Sequence, residues 1–179
     1  SRNLFNDDSL IVDLIKSEIF KNENLNANFK LNIKNITNIA ELNDLIVDVD
    51  VKEGNIELTN SSIMWKEDLK ISLEESFLNY DGNQINLDGK ITLEFIDLEN
   101  FYKSFQIKKI DRKKINKIEL YFVYSFNDNL ISFSNPRIDS KPNLKIENYF
   151  ENFNEKANRE FNKVRFKNFV SKFFEIYAG

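Results

Sequence analysis

The sequence of 179 residues contains no cysteine and no histidine. Disulfides, thiol nucleophiles, Cys/His zinc sites and imidazole acid–base catalysis are therefore excluded. It has only four glycines, and the nearest two, Gly82 and Gly89, are seven residues apart. That spacing rules out the GxGxxG loop of dinucleotide-binding folds and the glycine-rich phosphate loop of nucleotide hydrolases. No apolar run in the sequence reaches the roughly 18 residues that a membrane-spanning helix requires.

Charge of one sign is also lacking, because 25 Lys and Arg stand against 29 Asp and Glu, for a net charge of −4. Domains that bind nucleic acid are usually basic overall or carry a basic stripe, so a nucleic-acid partner is not expected. No catalytic constellation, metal-ligand pattern or cofactor motif stands out. The sequence therefore favours a protein without enzymatic activity and without a cofactor.

Alternation of apolar and polar residues is the strongest pattern present. Residues 8–20 have the helical spacing of apolar side chains after cap-type residues, and from Phe29 onward the period changes to two. Seven segments with one apolar and one polar face predict antiparallel strands, since buried parallel strands read as continuous apolar runs. The pattern predicts a strongly twisted sheet within residues 27–139, with the turn Glu53-Gly54-Asn55 between two of its strands.

Two further helices are predicted, one within the sheet region of the sequence and one after it. Asp97 is a cap-type residue before an amphipathic stretch that ends at Phe105, which indicates a short crossover helix. After the two prolines, residues 145–177 carry an apolar stripe that predicts one long helix, or two with a bend. The fold class expected is thus α+β, a single domain over residues 1–179 with helices at both ends of a mostly antiparallel sheet.

Two carboxylates, Asp48 and Asp50, lie on the same side of one predicted strand. Their Cα atoms should be roughly 6.5–7 Å apart, a separation that glycoside hydrolysis could use in principle. Both are nevertheless on the polar face of a half-buried strand, where solvated charge is expected. The sequence favours that second interpretation.

Basic residues are concentrated in two places that are candidates for contact with a membrane or a lipid headgroup. Lys108, Lys109, Arg112 and Lys113 belong to a basic run after the short helix, and Arg165 and Lys167 lie in the Phe-rich C-terminal helix. A solvated connection and a helix packed over the sheet, with its Lys stems reaching water, are the simpler interpretations.

Residues 29–139 resemble the C-terminal region of bacterial AsmA-like envelope proteins. The resemblance is carried by Asn35-Ile36-Thr37-Asn38 leading into Leu45-Ile46-Val47-Asp48-Val49-Asp50-Val51-Lys52-Glu53-Gly54, by Ile56-Glu57-Leu58-Thr59-Asn60-Ser61 and Leu87-Asp88-Gly89-Lys90, and by Phe101-Tyr102-Lys103-Ser104-Phe105-Gln106 and Arg112-Lys113-Lys114-Ile115. Outside that range, the segment from Arg165 to Gly179 also resembles the end of such chains. These are structural β-hairpin patterns without a catalytic signature.

The resemblance implies a periplasmic protein, tethered to the inner membrane through an upstream segment, whose sheet forms a groove for phospholipid acyl chains passing between inner and outer membranes. The groove-lining candidates from the alternating pattern are Phe29, Val49, Leu58, Ile71, Leu93, Phe95, Leu120 and Phe122. Its partners would be lipid acyl chains and the remainder of a longer membrane-anchored chain. The alternative is a protein–protein interaction or scaffold domain of the envelope, in which the sheet is an ordinary packed core.

Overall fold

A computed structural model describes residues 17, 19, 22, 24–36, 40–80, 84–128, 130–154 and 163–179, with only the backbone of residues 154, 163 and 165. The strands in this part of the chain are β1 Ala27–Asn35, β2 Leu42–Lys52, β3 Asn55–Glu57, β4 Ser62–Trp65, β5 Leu69–Tyr80, β6 Ile85–Phe95, β7 Lys117–Ser125, β8 Leu130–Ile138 and β9 Lys141–Pro142. The helices are α1 Leu98–Phe105, α2 Leu144–Asn154 and α3 Lys163–Ala178, with a 3₁₀ turn at Lys109–Asp111.

The strands form one antiparallel sheet in the order β1-β2-β3-β5-β6-β7-β8-β9, and β4 pairs with both β2 and β5. The apolar alternation sets the register. Ile63, Ile71, Leu93, Ile118 and Ile138 are direct cross-strand partners in one row across five strands. One face of the sheet is therefore continuously apolar along this row, and the predicted α+β class with an antiparallel sheet is confirmed.

Two short strands were not predicted from the sequence. In β4 the apolar residues Ile63, Met64 and Trp65 follow one another without alternation, so the period-two signal is missing. Strand β9 has only two residues and includes Pro142, which is tolerated because it lies at the edge of the sheet.

The predicted short helix is confirmed as α1. The carboxylate of Asp97 accepts a hydrogen bond from the backbone N–H of Asn100 at 2.8 Å, which satisfies one free amide of the first turn. The C-terminal stripe folds as two helices, α2 and α3, and the residues between them lie outside the described part. Of the helix predicted over residues 8–20, only Ser17 and Ile19 are described, so that helix stays a prediction, as does the single-domain organisation.

The core lies between the apolar sheet face and the three helices. Its fully or nearly buried members include Phe101 and Tyr102 of α1, Ile146 of α2 and Phe174 of α3. The helices cover the part of the face formed by β5 to β8. At the β1 edge the apolar side chains are instead exposed, with 59% of Phe29 and 55% of Leu31 accessible to solvent. The same sheet thus has a covered half and an uncovered half.

Candidate functional site

A cavity of about 210 Å³ lies between the covered half of the sheet and the helices. Its lining is entirely apolar and comes from every layer around it. The sheet contributes Leu69, Ile71, Ile91, Leu93, Phe95, Ile118, Leu120 and Phe133, α1 contributes Phe101, α2 contributes Phe150, and α3 contributes Phe166, Phe169, Val170, Phe173 and Phe174. We call this space the apolar cavity.

Phenylalanine rings on the helices form the roof of the apolar cavity. The ring of Phe169 is 5.9 Å from that of Phe150 and stacks at 5.3 Å on Tyr149. The Tyr149 hydroxyl donates a hydrogen bond of 2.9 Å to the Phe169 carbonyl oxygen, which joins α2 to α3 directly. Burial raises the pKa of the Tyr149 phenol, so the hydroxyl keeps its proton and its hydrogen bond even at the alkaline pH where an exposed tyrosine ionises. The hydrogen bond from Tyr149 and several ring contacts therefore hold this roof in place.

The size of the apolar cavity limits what it can hold. A dry, Leu/Ile/Phe-lined cavity of about 150 Å³ is known to bind benzene, so 210 Å³ has room for roughly eight carbon atoms. Sites for complete drug-sized ligands are larger, at about 300–1,000 Å³. With no polar group in the lining, water gains no hydrogen bond there. The space suits one apolar group or the end of one acyl chain.

The predicted groove residues divide into two groups. Ile71, Leu93, Phe95 and Leu120 all line the apolar cavity. Phe122 is buried but lies outside the lining, Val49 and Leu58 are half-buried, and Phe29 is largely exposed. Phe29 is the direct cross-strand partner of Val49, and Ile71 is that of Leu93, so the two residues of each pair lie on the same face of the sheet. The structure therefore brings four of the eight predicted residues together at one site.

The sequence pattern did not identify the α3 side chains as residues of this site. Phe166, Phe169, Val170 and Phe173 have the i, i+3, i+4, i+7 spacing of one helical face, which the sequence shows clearly. That spacing indicates a face that packs on something, but it does not reveal whether the packing is complete.

The basic candidates take different positions in the fold. Lys108, Lys109 and Lys113 are exposed in the connection after α1, and Lys167 is half-buried on α3. Arg112 is used inside the fold, where its Nε donates to the Ile107 carbonyl oxygen at 3.1 Å and its guanidinium lies 5.6 Å from the Tyr102 ring centre. The Arg165 side chain lies outside the described atoms.

The opposite face of the sheet carries a polar cavity of about 630 Å³, whose walls include Lys90, Glu119 and Arg137. Lys90 Nζ lies 2.8 Å from Glu119 Oε1 and 3.1 Å from Glu74 Oε2, while Lys117 Nζ lies 3.0 Å from Glu119 Oε1. The hydrogen bond from Lys90 holds the pKa of Glu119 below its usual range. A carboxylate kept ionised in this way is unsuited to act as a general acid near neutral pH.

Side chains of the neighbouring strand β1 bind the carboxylates of Asp48 and Asp50. Asn28 Nδ2 donates to Asp48 Oδ1 at 3.0 Å and to Asp50 Oδ1 at 2.8 Å, and Lys30 Nζ lies 3.2 Å from Asp48 Oδ2. The Asn28 hydrogen bond lowers the pKa of Asp48. Asp50 is exposed as expected, but only 13% of the Asp48 side chain is accessible, because Asn28 and Lys30 cover it. Both carboxylates are engaged in cross-strand contacts within the sheet.

The described residues contain no group of three or more Asp or Glu side chains placed to hold a metal ion. None of the helices in these ranges is both long enough and apolar enough to cross a membrane.

Comparison with known proteins gives little guidance. No family model matches the chain, and no solved structure matches it. The chain is similar to the DNA-directed RNA polymerase subunit beta'' of Tupiella akineta, at 28% identity over 115 residues. That alignment covers 61% of this chain and 3% of the polymerase subunit. A similarity of this extent assigns the chain to no family.

Proposed function

We propose that this protein binds the end of a lipid acyl chain in the apolar cavity and performs no chemistry on it. The observation that supports this is the lining, in which 15 side chains from the sheet and all three helices leave about 210 Å³ unfilled without contributing one polar group. Protein interiors normally pack to the density of organic crystals, with few voids larger than a water molecule. An unfilled apolar space of this size between the sheet and the helices therefore favours a ligand site.

The energetics favour a chain end over a whole lipid. Each buried CH₂ is worth about 0.8 kcal/mol, so roughly eight carbons contribute about 6 kcal/mol before the cost of association is subtracted. That cost is several kcal/mol or more, which leaves weak binding for a short chain alone. Useful affinity therefore requires further contacts between the lipid and this protein outside the apolar cavity.

The resemblance to AsmA-like envelope proteins gives this proposal a biological setting. It suggests a periplasmic location, a longer membrane-anchored chain and phospholipid as the source of the acyl chain. In that setting the apolar cavity would receive a chain end while the rest of the lipid remains on the longer protein.

A second candidate function is a protein–protein interaction or scaffold role. The observation that favours it is strand β1, which within the described part of the chain pairs only with β2 and carries the exposed side chains of Phe29 and Leu31. An edge strand with an apolar face is a template for another strand. In this alternative the apolar cavity is a packing defect of the core.

Native mass spectrometry of the protein purified from a bacterial membrane extract tests the proposal. A lipid adduct is expected on the native protein and is expected to be lost in Leu93→Phe, which fills the apolar cavity. Val123→Phe is the matched control, because Val123 is 46% exposed on the opposite face of the sheet and should retain the adduct. A folded native protein that carries no lipid and takes none from liposomes would favour the scaffold alternative.

A further inference from the structure

The connection between α1 and β7 presents one apolar side chain to solvent at the tip of a basic turn. Ile110 lies in the 3₁₀ turn Lys109–Asp111 and is 82% exposed, the largest exposure of any described large apolar side chain. Buried residues anchor both ends of the turn, since Ile107 is 2% and Ile115 is 1% exposed. We call residues 108–114 the basic tip.

Internal contacts fix the shape of the basic tip. Arg112 Nε donates to the carbonyl oxygen of Ile107, and the buried Tyr102 hydroxyl donates to the carbonyl oxygen of Lys113. These bonds connect the turn across its base and to α1. Ile110 is thus held outward by a closed, anchored turn.

The charge of the basic tip is opposite to that of the whole protein. Lys108, Lys109, Lys113 and Lys114 are exposed and form no ion pair within the described part of the chain, whereas Asp111 is the one acidic residue among them. The neighbouring acidic groups already have closer partners. Glu99 pairs with Arg112, and Glu175 pairs with Lys172, while Lys108 is a weaker electrostatic neighbour of Glu175. A local excess of positive charge therefore surrounds Ile110 in a protein whose net charge is −4.

We propose that the basic tip docks this protein on an anionic membrane surface, with Ile110 inserted among the headgroups and the four lysines at the phosphate level. An apolar side chain ringed by lysines is the arrangement that interfacial binding uses, because burial of the apolar group and attraction to anionic lipid act together. This inference is independent of the apolar cavity, since it concerns a different surface and a different part of the lipid.

The size of the effect follows from known contributions. Each lysine near an anionic leaflet strengthens binding roughly fivefold, and insertion of an isoleucine adds about tenfold. Binding that depends on charge must also weaken with salt, because screening at 0.15 M acts over about 8 Å. Binding of the basic tip to the membrane is therefore reversible and selective for anionic lipid.

A single-site label tests the proposal directly, because the chain has no cysteine of its own. The 179-residue chain with Ile110→Cys, carrying an environment-sensitive dye, is mixed with vesicles of phosphatidylcholine alone or with added phosphatidylglycerol. A blue shift is expected with the anionic vesicles and not with the neutral ones. The matched control is Ile96→Cys. Ile96 is also exposed, at 63%, but its charged neighbours in the sequence are the acidic residues Glu94 and Asp97.

Vesicle sedimentation with unlabelled variants completes the test. Ile110→Ser should weaken binding to anionic vesicles about tenfold, and Lys109→Gln with Lys113→Gln roughly 25-fold, by the contributions given above. Ile96→Ser and Lys70→Gln should bind as the native chain does. Thermal unfolding checks that each variant is folded, which is expected for such exposed positions. No shift at position 110 with anionic vesicles, an equal shift at position 96, or full binding by Ile110→Ser would overturn the proposal.

Discussion

Ser76 occupies the space that a side chain at Gly89 would need. A Cβ atom at Gly89 would lie 2.6 Å from the Cα atom of Ser76, far inside contact distance. Ser76 is fully buried where the β5–β6 pairing shifts between Glu74 and Phe77, and Glu75 in this bulge has a left-handed φ of 47°. The missing side chain at Gly89 is thus what allows the bulge of β5 to lie against β6.

Gly89→Ala should therefore destabilise the protein by about 2 kcal/mol or more, since overpacking in a tight core usually costs about 1–3 kcal/mol and here the clash is with backbone. Urea unfolding measures the change. Adding Ser76→Gly should restore only part of the loss, because the Ser76 Cα remains in the way. Gly179→Ala is the control, with its nearest neighbour at 3.6 Å. Equal unfolding midpoints for Gly89→Ala and the native chain would contradict the close approach.

The Lys90–Glu119 pair predicts an acid-dependent loss of stability. The pKa of Glu119 is lowered in the folded state, so its contribution is fully present above the unfolded value of about 4.5 and is lost as the pH falls through the lower folded pKa. Glu119→Gln should cost about 2 kcal/mol at pH 7, since two lysines lose a charged acceptor. Its stability should also fall less steeply than that of the native chain below pH 4.5.

Urea unfolding at several pH values checks this prediction. Glu175→Gln is the matched control, because Glu175 pairs with Lys172 at an exposed position of α3 and should have little influence on stability. Parallel pH profiles for Glu119→Gln and the native chain would show that the Lys90–Glu119 pair does not cause the loss of stability in acid.

Much of the fold is predictable from local pattern, and much of the site is not. The cap at Asp97 and the alternation through Ile71 and Leu93 depend on neighbouring residues along the chain, so the sequence reveals them. Strand β4 lacks alternation at Ile63-Met64-Trp65, and only its two pairing partners make it a strand. The apolar cavity depends on how rings from several distant elements fill one space, and a difference of a few CH₂ groups in that packing has no local signal.

Enlarging a side chain should cost less at the apolar cavity than in the filled core. Leu93 lines the cavity, whereas Ile138 is a buried core residue outside its lining. Leu93→Phe has free volume to enter, so it should change the free energy of unfolding by less than about 1 kcal/mol, while Ile138→Phe should lose about 1–3 kcal/mol. Chemical denaturation compares the two variants. Equal losses would mean that the space at Leu93 is already filled in solution.

The tie between Tyr149 and the Phe169 carbonyl oxygen should control access beneath α3. Tyr149→Phe removes the hydroxyl and leaves the ring stack in place, so α3 should detach more often while the fold is retained. Dissociation of a bound fatty acid should accelerate several-fold, with a loss of stability of about 1 kcal/mol. Stopped-flow fluorescence of Trp65 is suited to this measurement, because its ring lies 5.4 Å from that of Phe166 in the lining. Tyr121→Phe, at an exposed tyrosine on the opposite face, should dissociate at the native rate.

Intermolecular NOEs between a medium-chain fatty acid and the protein methyl groups test the apolar cavity as a ligand site most directly. The terminal methyl group of decanoate should give NOEs to the methyl groups of Leu93 and Val170, which lie on opposite walls of the cavity. It should give none to Val123 on the exposed sheet face, and the NOE to Val170 should vanish in Leu93→Phe. NOEs confined to Val123 or other exposed methyl groups, or survival of the Val170 NOE in Leu93→Phe, would contradict binding in the cavity.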